Sequence, residues 1–432
     1  MHQLANELND TIKSKNRIIY KMLSDLGKEM FYPKGILTQS EEANEKANNI
    51  NATIGTATED NKPMYLESIK KKLPDLDPND IFPYVSPSGL MELREAWKDK
   101  LESDNSLAKA HISLPIVTNA ITHGLSIVAD LFCNPDDIVI LPDMLWGNYR
   151  MTFEVRRNAK FSTYKFFDEE NKLNISGLDA ELGKVKKDKV IVLLNFPNNP
   201  TGYTPTVDEA NKVVDTLLKY ANLGKEIVVV VDDAYYGLFY EDSIKTSIFF
   251  KLINKHSNIL PIKLDGATKE HFVWGLRVGF LTLPLFENEL VNQALELKIK
   301  GIIRSTISSG SHPSQTIVLD ALKNPDFEAE RKSKFEILKK RAVRVKSILN
   351  KEEKFNEYFT YYPFNSGYFM CLKLHSTNAE KLRLLLLDEY GIGTIAISHT
   401  DLRIAFSSVE ECQLETLFNH IYEAAKKIES VR

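Results

Sequence analysis

Between about residue 115 and residue 283, short apolar runs alternate with helical stretches. The runs are Ile138–Leu141, Ala159–Tyr164, Val190–Leu194, Ile227–Val231, Leu260–Leu264 and Val278–Leu283. Unbroken apolar runs of this length mark strands buried on both faces, and helical crossovers between them make a mostly parallel sheet with helices on either side. Such sheets bind their ligands beyond the carboxyl ends of the strands. The residues that follow each run are therefore the first places to look for chemistry.

The flanks have other patterns. Leu4, Leu8, Ile12, Ile18, Ile19, Met22, Leu23 and Leu26 predict an amphipathic helical region over 4–31, broken by Phe31-Tyr-Pro-Lys-Gly-Ile-Leu37. A charged helix over Ser40–Asn48 follows, with Ser40 as its N-cap. Asn51–Asp60 reads as a strand whose Gly55 marks a bulge or a close backbone approach. Asn61–Pro63 reads as a turn, Tyr65–Lys72 as a short helix, Phe82–Leu90 as a Pro- and Gly-rich loop, and Met91–Leu101 as a helix. Past about 325 come a long helix (Phe327–Leu349), strands Tyr358–Tyr362 and Gly367–Leu374, and a helix Ala379–Glu389. Short strands Ile395–Ile397 and Leu402–Phe406 and a closing helix Glu410–Ile428 complete a smaller α+β domain. The expected division is a large domain over 66–325, with 1–65 and 326–432 as an N-terminal arm and small domain.

Composition narrows the function. The 432 residues are 43% hydrophobic and 26% charged, enough for two or three packed layers or a split into domains. Net charge is −4 with no basic block, so nothing supports nucleic-acid binding. Cys133, Cys371 and Cys412 are odd in number, far apart and outside any CxxC spacing, which fits a reducing compartment and no metal site. The first residues lack the basic and apolar segments of a signal peptide, and no apolar run reaches the ~20 residues of a membrane span. The expectation is a cytoplasmic protein.

Chemistry concentrates in Asp265-Gly-Ala-Thr-Lys-Glu-His-Phe-Val-Trp-Gly-Leu-Arg-Val-Gly-Phe280. A loop lysine is ordinarily a solvated one. Lys269, however, lies among small residues just past a strand, and Arg277 stands eight positions on, near glycines that let a bulky anion approach. A lysine able to form a Schiff base beside a phosphate-gripping arginine is what pyridoxal phosphate chemistry requires. After the run at 190–194 comes Asn195-Phe-Pro-Asn-Asn-Pro-Thr-Gly202, a tight loop that carries amide side chains to the sheet edge. The run at 227–231 leads into Asp232-Asp-Ala-Tyr235. A buried carboxylate there can keep a pyridine nitrogen protonated, and the spacing to Tyr235 favours Asp232 over Asp233. Thr118 and Asn119 are expected caps where a strand enters a helix, whose N-terminus can take an anion. Trp146 is either core or a stacking aromatic, and Tyr84 either packs or donates its hydroxyl. Arg403, in an apolar strand, needs an anionic partner, internal or in a substrate.

Together these pieces resemble, from about 50 to 407, the fold-type I pyridoxal-phosphate aminotransferases of class I/II, and within them the aspartate aminotransferase group. The resemblance implies an α/β fold of type I, with a mostly parallel seven-stranded sheet between helices plus a smaller α+β domain. It implies pyridoxal 5'-phosphate as cofactor and a homodimer with shared active sites. By resemblance Lys269 is the Schiff-base lysine and proton carrier, Asp232 the partner of the pyridine nitrogen, and Tyr235 and Asn199 donors to the phenolic oxygen. Trp146 matches the ring-stacking aromatic, Arg277 a phosphate ligand, and Ile121 (backbone) and Thr122 (hydroxyl) the phosphate loop. Tyr84 matches the tyrosine that reaches the neighbouring subunit's phosphate, Arg403 the α-carboxylate clamp, and Gly55 a mobile glycine segment over the substrate. Two departures stand out: Gly266 replaces a phosphate-binding serine or threonine, and the phosphate loop is Asn119-Ala-Ile-Thr-His. Arg304 resembles the arginine lent to the other subunit for a dicarboxylate side chain, in altered surroundings, so aspartate and an aromatic amino acid both stay open as amino donors. The implied activity is transamination to a 2-oxo acid such as 2-oxoglutarate. A β-lyase or synthase, or a non-catalytic ligand-binding module, are the alternatives. A dehydrogenase is disfavoured, since no GxGxxG lies between a strand and a helix.

Overall fold

The computed structural model describes residues 2–15, 17, 20, 23, 25–29 and 36–430. In chain order its strands are β1 (Ile50–Asn51), β2 (Thr58–Glu59), β3 (Lys62–Pro63), β4 (Ile116–Asn119), β5 (Ile138–Pro142), β6 (Lys160–Tyr164), β7 (Lys189–Asn195) and β8 (Glu226–Asp232). They continue as β9 (Ile259–Gly266), β10 (Val278–Thr282), β11 (Phe359–Tyr361), β12 (Met370–Leu374), β13 (Ile392–Gly393), β14 (Ile395–Ala396) and β15 (Asp401–Ile404).

Seven of these form one sheet in the order β4-β10-β9-β8-β7-β5-β6. All run parallel except β10, which is antiparallel to both neighbours. The link from β9 to β10 holds only one short helix, Ala267–Glu270, and a single 3-10 turn. That is too little chain for a helical crossover, so the strand returns antiparallel. The β-branched run Ile227–Val231 is buried throughout, as a central strand covered on both faces demands. Thr206 and Glu209 form a capping box that starts the helix Val207–Asn222 on one such crossover. Trp97 of the helix Met91–Asp104 stacks on Phe280 of β10 at 4.0 Å and gives its indole N–H to Asp265. The smaller sheet is antiparallel, β11-β12-β15-β14, and β1 pairs in parallel with β13 beside it. The long helix Phe327–Lys351 and the closing helix Leu414–Ser430 pack against each other.

Several expectations are corrected. The helix after the early break is Ile36–Lys46, so Ser40 is a mid-helix residue and not an N-cap. The breakers Pro33 and Gly35 end before it, and Ile36–Thr38 carry no reason to delay the helix. Asn51–Asp60 is not one strand. Only its ends are β1 and β2, because the backbone between is taken by neighbours: Ala52 N–H donates to Gly393, and the Ala52 carbonyl accepts from Ala405. Asp60 and Asn61 turn the β2–β3 hairpin with φ of 51° and 57°, the left-handed pair a two-residue hairpin needs. The expected helical region 4–31 is described in part, as helices Gln3–Lys15 and Asp25–Glu29, and its Leu8 and Leu26 are exposed. Residues 31–35 of the expected break, and the side chains of Leu4, Ile18, Ile19 and Met22, lie outside the described residues. Neither Thr118 nor Asn119 caps the helix Ala120–Phe132 with its side chain; the Thr118 hydroxyl donates to the Ala120 carbonyl instead.

Candidate active site

Five strand ends deliver the groups that line the site. Asn195 and Asp232 end β7 and β8 as direct neighbours in the register, and Gly266 ends β9 one helical turn before Lys269. β5 runs on to Trp146, and β4 opens the helix that carries Ile121 and Thr122. A cavity of about 370 Å³ lies beyond these ends. Lys269, Asp232, Tyr235, Asn199, Trp146 and Arg277 all line it. So do Ile121, Thr122, Gly55 and Arg403, the last two from chain far from the large sheet.

Asp232 is buried and held at both oxygens. Oδ2 accepts from the Tyr149 hydroxyl at 2.6 Å, and Oδ1 from the Ala234 N–H at 3.0 Å. Burial pushes its carboxyl above the usual range, against the Tyr149 hydrogen bond and the charges of Lys269 and Lys263. The neighbouring Asp233 does not line the cavity; it pairs with buried Lys263 and accepts from Ser247. Tyr149 immediately precedes a π-helical turn, Arg150–Val155, and meets Trp146 edge to face at 5.5 Å.

Lys269 lies 5.3 Å from the centroid of the Tyr235 ring. Burial lowers its pKa to about 8, with Asp232 pulling upward and Arg277 downward. A depressed lysine is a nucleophile and base near neutral pH. Its neutral form exists above the midpoint, so acylation of Lys269 in cofactor-free protein should rise with pH and reach half its maximum near pH 8. Competitive labelling followed by peptide mass spectrometry measures this; a midpoint above pH 10, that of a solvated lysine, contradicts it.

Arg403, on β15, is 2% exposed and has no carboxylate within ion-pair distance among the described residues. Nη1 donates to Asn199 Oδ1 at 3.1 Å and Nη2 to the Thr53 carbonyl at 2.9 Å, while Nε has no partner. The Phe369 ring lies beneath the guanidinium at 4.2 Å. Burial lowers its pKa to about 10. A buried cation costs several kcal/mol unless an anion compensates it. The internal salt bridge that sequence left open is absent, and the cavity is where an anion can reach this group. Gly202 keeps the Asn199 loop close to the chain that enters β12: a Cβ there would fall 2.0 Å from the Phe369 carbonyl oxygen, and φ is +72°.

The end of the cavity beside Ala120 and Arg277 is built from strained and bare backbone. Ala120 and Arg277 are both left-handed, with φ of 61° and 55°, and the Ala120 N–H donates to the Arg277 carbonyl. Gly266 and Gly279 pair across β9 and β10. A Cβ on Gly266 would lie 2.7 Å from the Val278 oxygen, and one on Gly279 2.7 Å from the Ala120 carbonyl carbon. Packing therefore leaves no room for a hydroxyl at 266. Two other donors line the cavity, buried and without partners: Thr268 Oγ1 and Trp274 Nε1.

Two expected residues stand elsewhere. Tyr84 is 94% exposed on its loop, and Arg304 is exposed near the end of the helix Glu289–Thr306, donating to Ser308. Neither lines the cavity of its own chain. Sequence reading passed over Tyr149, Asn195, Thr268, Trp274, Phe369, Thr53, Ser40 and Asn44, all of which line it. Thr268 and Trp274 could have been suspected from their place between Gly266 and Arg277. Thr53 and Phe369 gave no local signal.

The family model for aminotransferase class I and II matches residues 48–421. The chain belongs to that family. Cytoplasmic aspartate aminotransferase of Saccharomyces cerevisiae is 26% identical over 317 residues, covering 71% of this chain and 74% of that one. An aminotransferase structure from Anaerococcus prevotii superposes with a TM-score of 0.83 at 24% identity, over 94% of this chain and 99% of that one. The kynurenine aminotransferase of Pyrococcus horikoshii, solved with PMP, superposes at 0.79 with 17% identity, over 95% and 98%. These structures share the fold. This aminotransferase depends on pyridoxal phosphate, and the residues present suit it. The donor set offers a buried carboxylate, a low-pKa lysine, an arginine and two unpartnered donors around one cavity.

Proposed function

We propose that this transaminase moves the amino group of an L-amino acid, aspartate or another dicarboxylic or aromatic one, to a 2-oxo acid such as 2-oxoglutarate. The observation that carries this reading is the meeting of Lys269, Asp232 and the acid-free Arg403 in one cavity. Bound pyridoxal phosphate supplies an aldehyde for the amino group and a ring that takes up the electron pair of the α-carbon. In this reading Asp232 keeps the ring nitrogen protonated, Tyr235 and Asn199 face its phenolic oxygen, and Trp146 covers its face. Arg277, the backbone of Ile121 and the hydroxyl of Thr122 hold the phosphate, and Thr268 adds the hydroxyl that Gly266 lacks. Arg403 takes the substrate α-carboxylate in a bidentate grip. Lys269, neutral in part near pH 8, would take the α-proton and deliver it to the cofactor carbon on the far side of the amino nitrogen. Gly55 lies over the substrate.

We propose further a cytoplasmic homodimer in which Tyr84 reaches the partner's phosphate site and Arg304 its substrate. Support comes from Phe82 and Tyr84, which are 79% and 94% exposed in the single chain. Among the described residues no helix is long and apolar enough to cross a membrane, and the three cysteines are unpaired. Residues 66–325 then form the cofactor domain, and 1–65 with 326–432 the arm and small domain; the β1–β13 pairing supports grouping the first segment with the last.

Amino transfer in two halves predicts parallel lines in double-reciprocal plots of rate against amino acid at several oxo-acid concentrations. Intersecting lines contradict it. Release of ammonia or pyruvate from a single substrate, without an oxo acid, selects the lyase alternative.

A further inference from the structure

The helix Ile36–Lys46 borders the cavity with Ser40 and Asn44, one turn apart on the same face. It is fastened to the small sheet. The Gln39 side-chain amide donates to the Ala396 carbonyl at 3.2 Å and accepts the Ala396 N–H at 2.8 Å, copying a strand pair on β14. Glu42 pairs with Arg383 at 2.8 Å. The two polar side chains are thus held in place on a secured element.

Their hydrogen-bonding sense follows from a neighbour. Asn51 Oδ1 accepts from the Thr53 backbone N–H at 3.1 Å, and a backbone N–H can only donate. That orients the Asn51 amide, so its Nδ2 is the donor in the 2.9 Å contact with Asn44 Oδ1. Asn44 therefore spends its oxygen on Asn51 and keeps its NH2 group for the cavity. The Ser40 hydroxyl has no partner among the described residues and can accept or donate. The same network places this corner beside the α-carboxylate grip, since Thr53 gives its carbonyl to Arg403.

The charged groups of the cavity already have work in the transaminase reading, on which this inference rests. Arg403 meets the α-carboxylate, Arg277 the phosphate, and Lys269 and Asp232 the reacting centre. We propose that Ser40 and Asn44 read the side chain of the amino acid and select a carboxamide over a carboxylate. A carboxamide oxygen accepts from Asn44 Nδ2, and its NH2 donates to Ser40 Oγ. A carboxylate only accepts, and it brings a charge for which the lining of this corner holds no cation among the described residues. In the dimer reading Arg304 would come from a second copy of the chain, and its variant weighs that cation against Ser40 and Asn44.

The test compares kcat/KM for asparagine, aspartate and alanine in the holoenzyme and in Ser40→Ala, Asn44→Asp and Arg304→Ala. Asn44→Asp keeps an oxygen for Asn51, so the helix stays secured, and turns the NH2 donor into a charged acceptor that opposes a carboxamide oxygen. Wild type should favour asparagine over aspartate by about tenfold or more, and Asn44→Asp should lower the asparagine-to-alanine ratio by about tenfold. Ser40→Ala should lower it about threefold. Calorimetric binding of α-methylasparagine and α-methylaspartate, which cannot lose an α-proton, should show the same order without turnover. The proposal is overturned if aspartate is preferred, if the variants lower asparagine and alanine alike, or if Arg304→Ala alone shifts the preference. Absence of transfer from every amino acid would sink transamination itself, and the binding order of the two analogues would still decide on the side-chain reading.

Discussion

Lys269→Ala should lower kcat by about four orders of magnitude, the upper range for loss of a positioned acid–base group. The physical reason is placement as much as basicity. Lys269 stands in a buried cavity near Asp232 and over the Tyr235 ring, and burial brings its pKa to about 8. Among the described residues no other amine lines that cavity. Added methylamine should restore part of the rate in proportion to its concentration, since the substitution leaves space for a small base. Lys269→Arg should not restore it, because a guanidinium stays protonated at any working pH. Steady-state rates with and without amine decide the matter. Loss of less than tenfold in Lys269→Ala would remove this lysine from the proton path.

Arg403→Ala should raise KM for amino acids and oxo acids alike by about a hundredfold to a thousandfold, the loss of one charge-assisted bidentate contact. The α-carboxylate is common to every substrate, so the loss should not depend on the side chain. A second consequence separates this group from an ordinary buried arginine. Among the described residues it has no ion pair, and its Nε has no hydrogen-bond partner. Replacing it with Met should therefore leave the melting temperature of the ligand-free protein unchanged or higher, while activity collapses. A large fall in melting temperature would make Arg403 a structural residue. A KM increase confined to acidic substrates would move it to the side-chain end of the site.

The chain itself contained most of this architecture. The apolar runs became strands β5 to β10 with ends shifted by a residue or two; β7 and β8 are buried almost throughout, while the edge strand β6 keeps Lys160 and Thr163 exposed and β9 buries Lys263 against Asp233. Lys269, Asp232, Asn199 and Trp146 were visible because each follows a run, and parallel strands bring their carboxyl ends together. Arg403 was visible as a charge in an apolar strand. Local pattern could not show what neighbours distant in sequence impose. Asn51–Asp60 looks like a strand, yet its middle is irregular because Gly393, Ala405 and Arg403 claim its backbone. Gly266 looked like a missing hydroxyl, and only the closeness of Val278 and Gly279 shows that no side chain fits. Tyr149 and Asn44 line the cavity with side-chain hydrogen bonds to Asp232 and Asn51, which have no period in the sequence. Order, type and spacing of the elements were thus determined by which residues must avoid water. Which oxygen faces which nitrogen was decided only when segments hundreds of residues apart came within hydrogen-bond distance, as with Thr53 and Arg403.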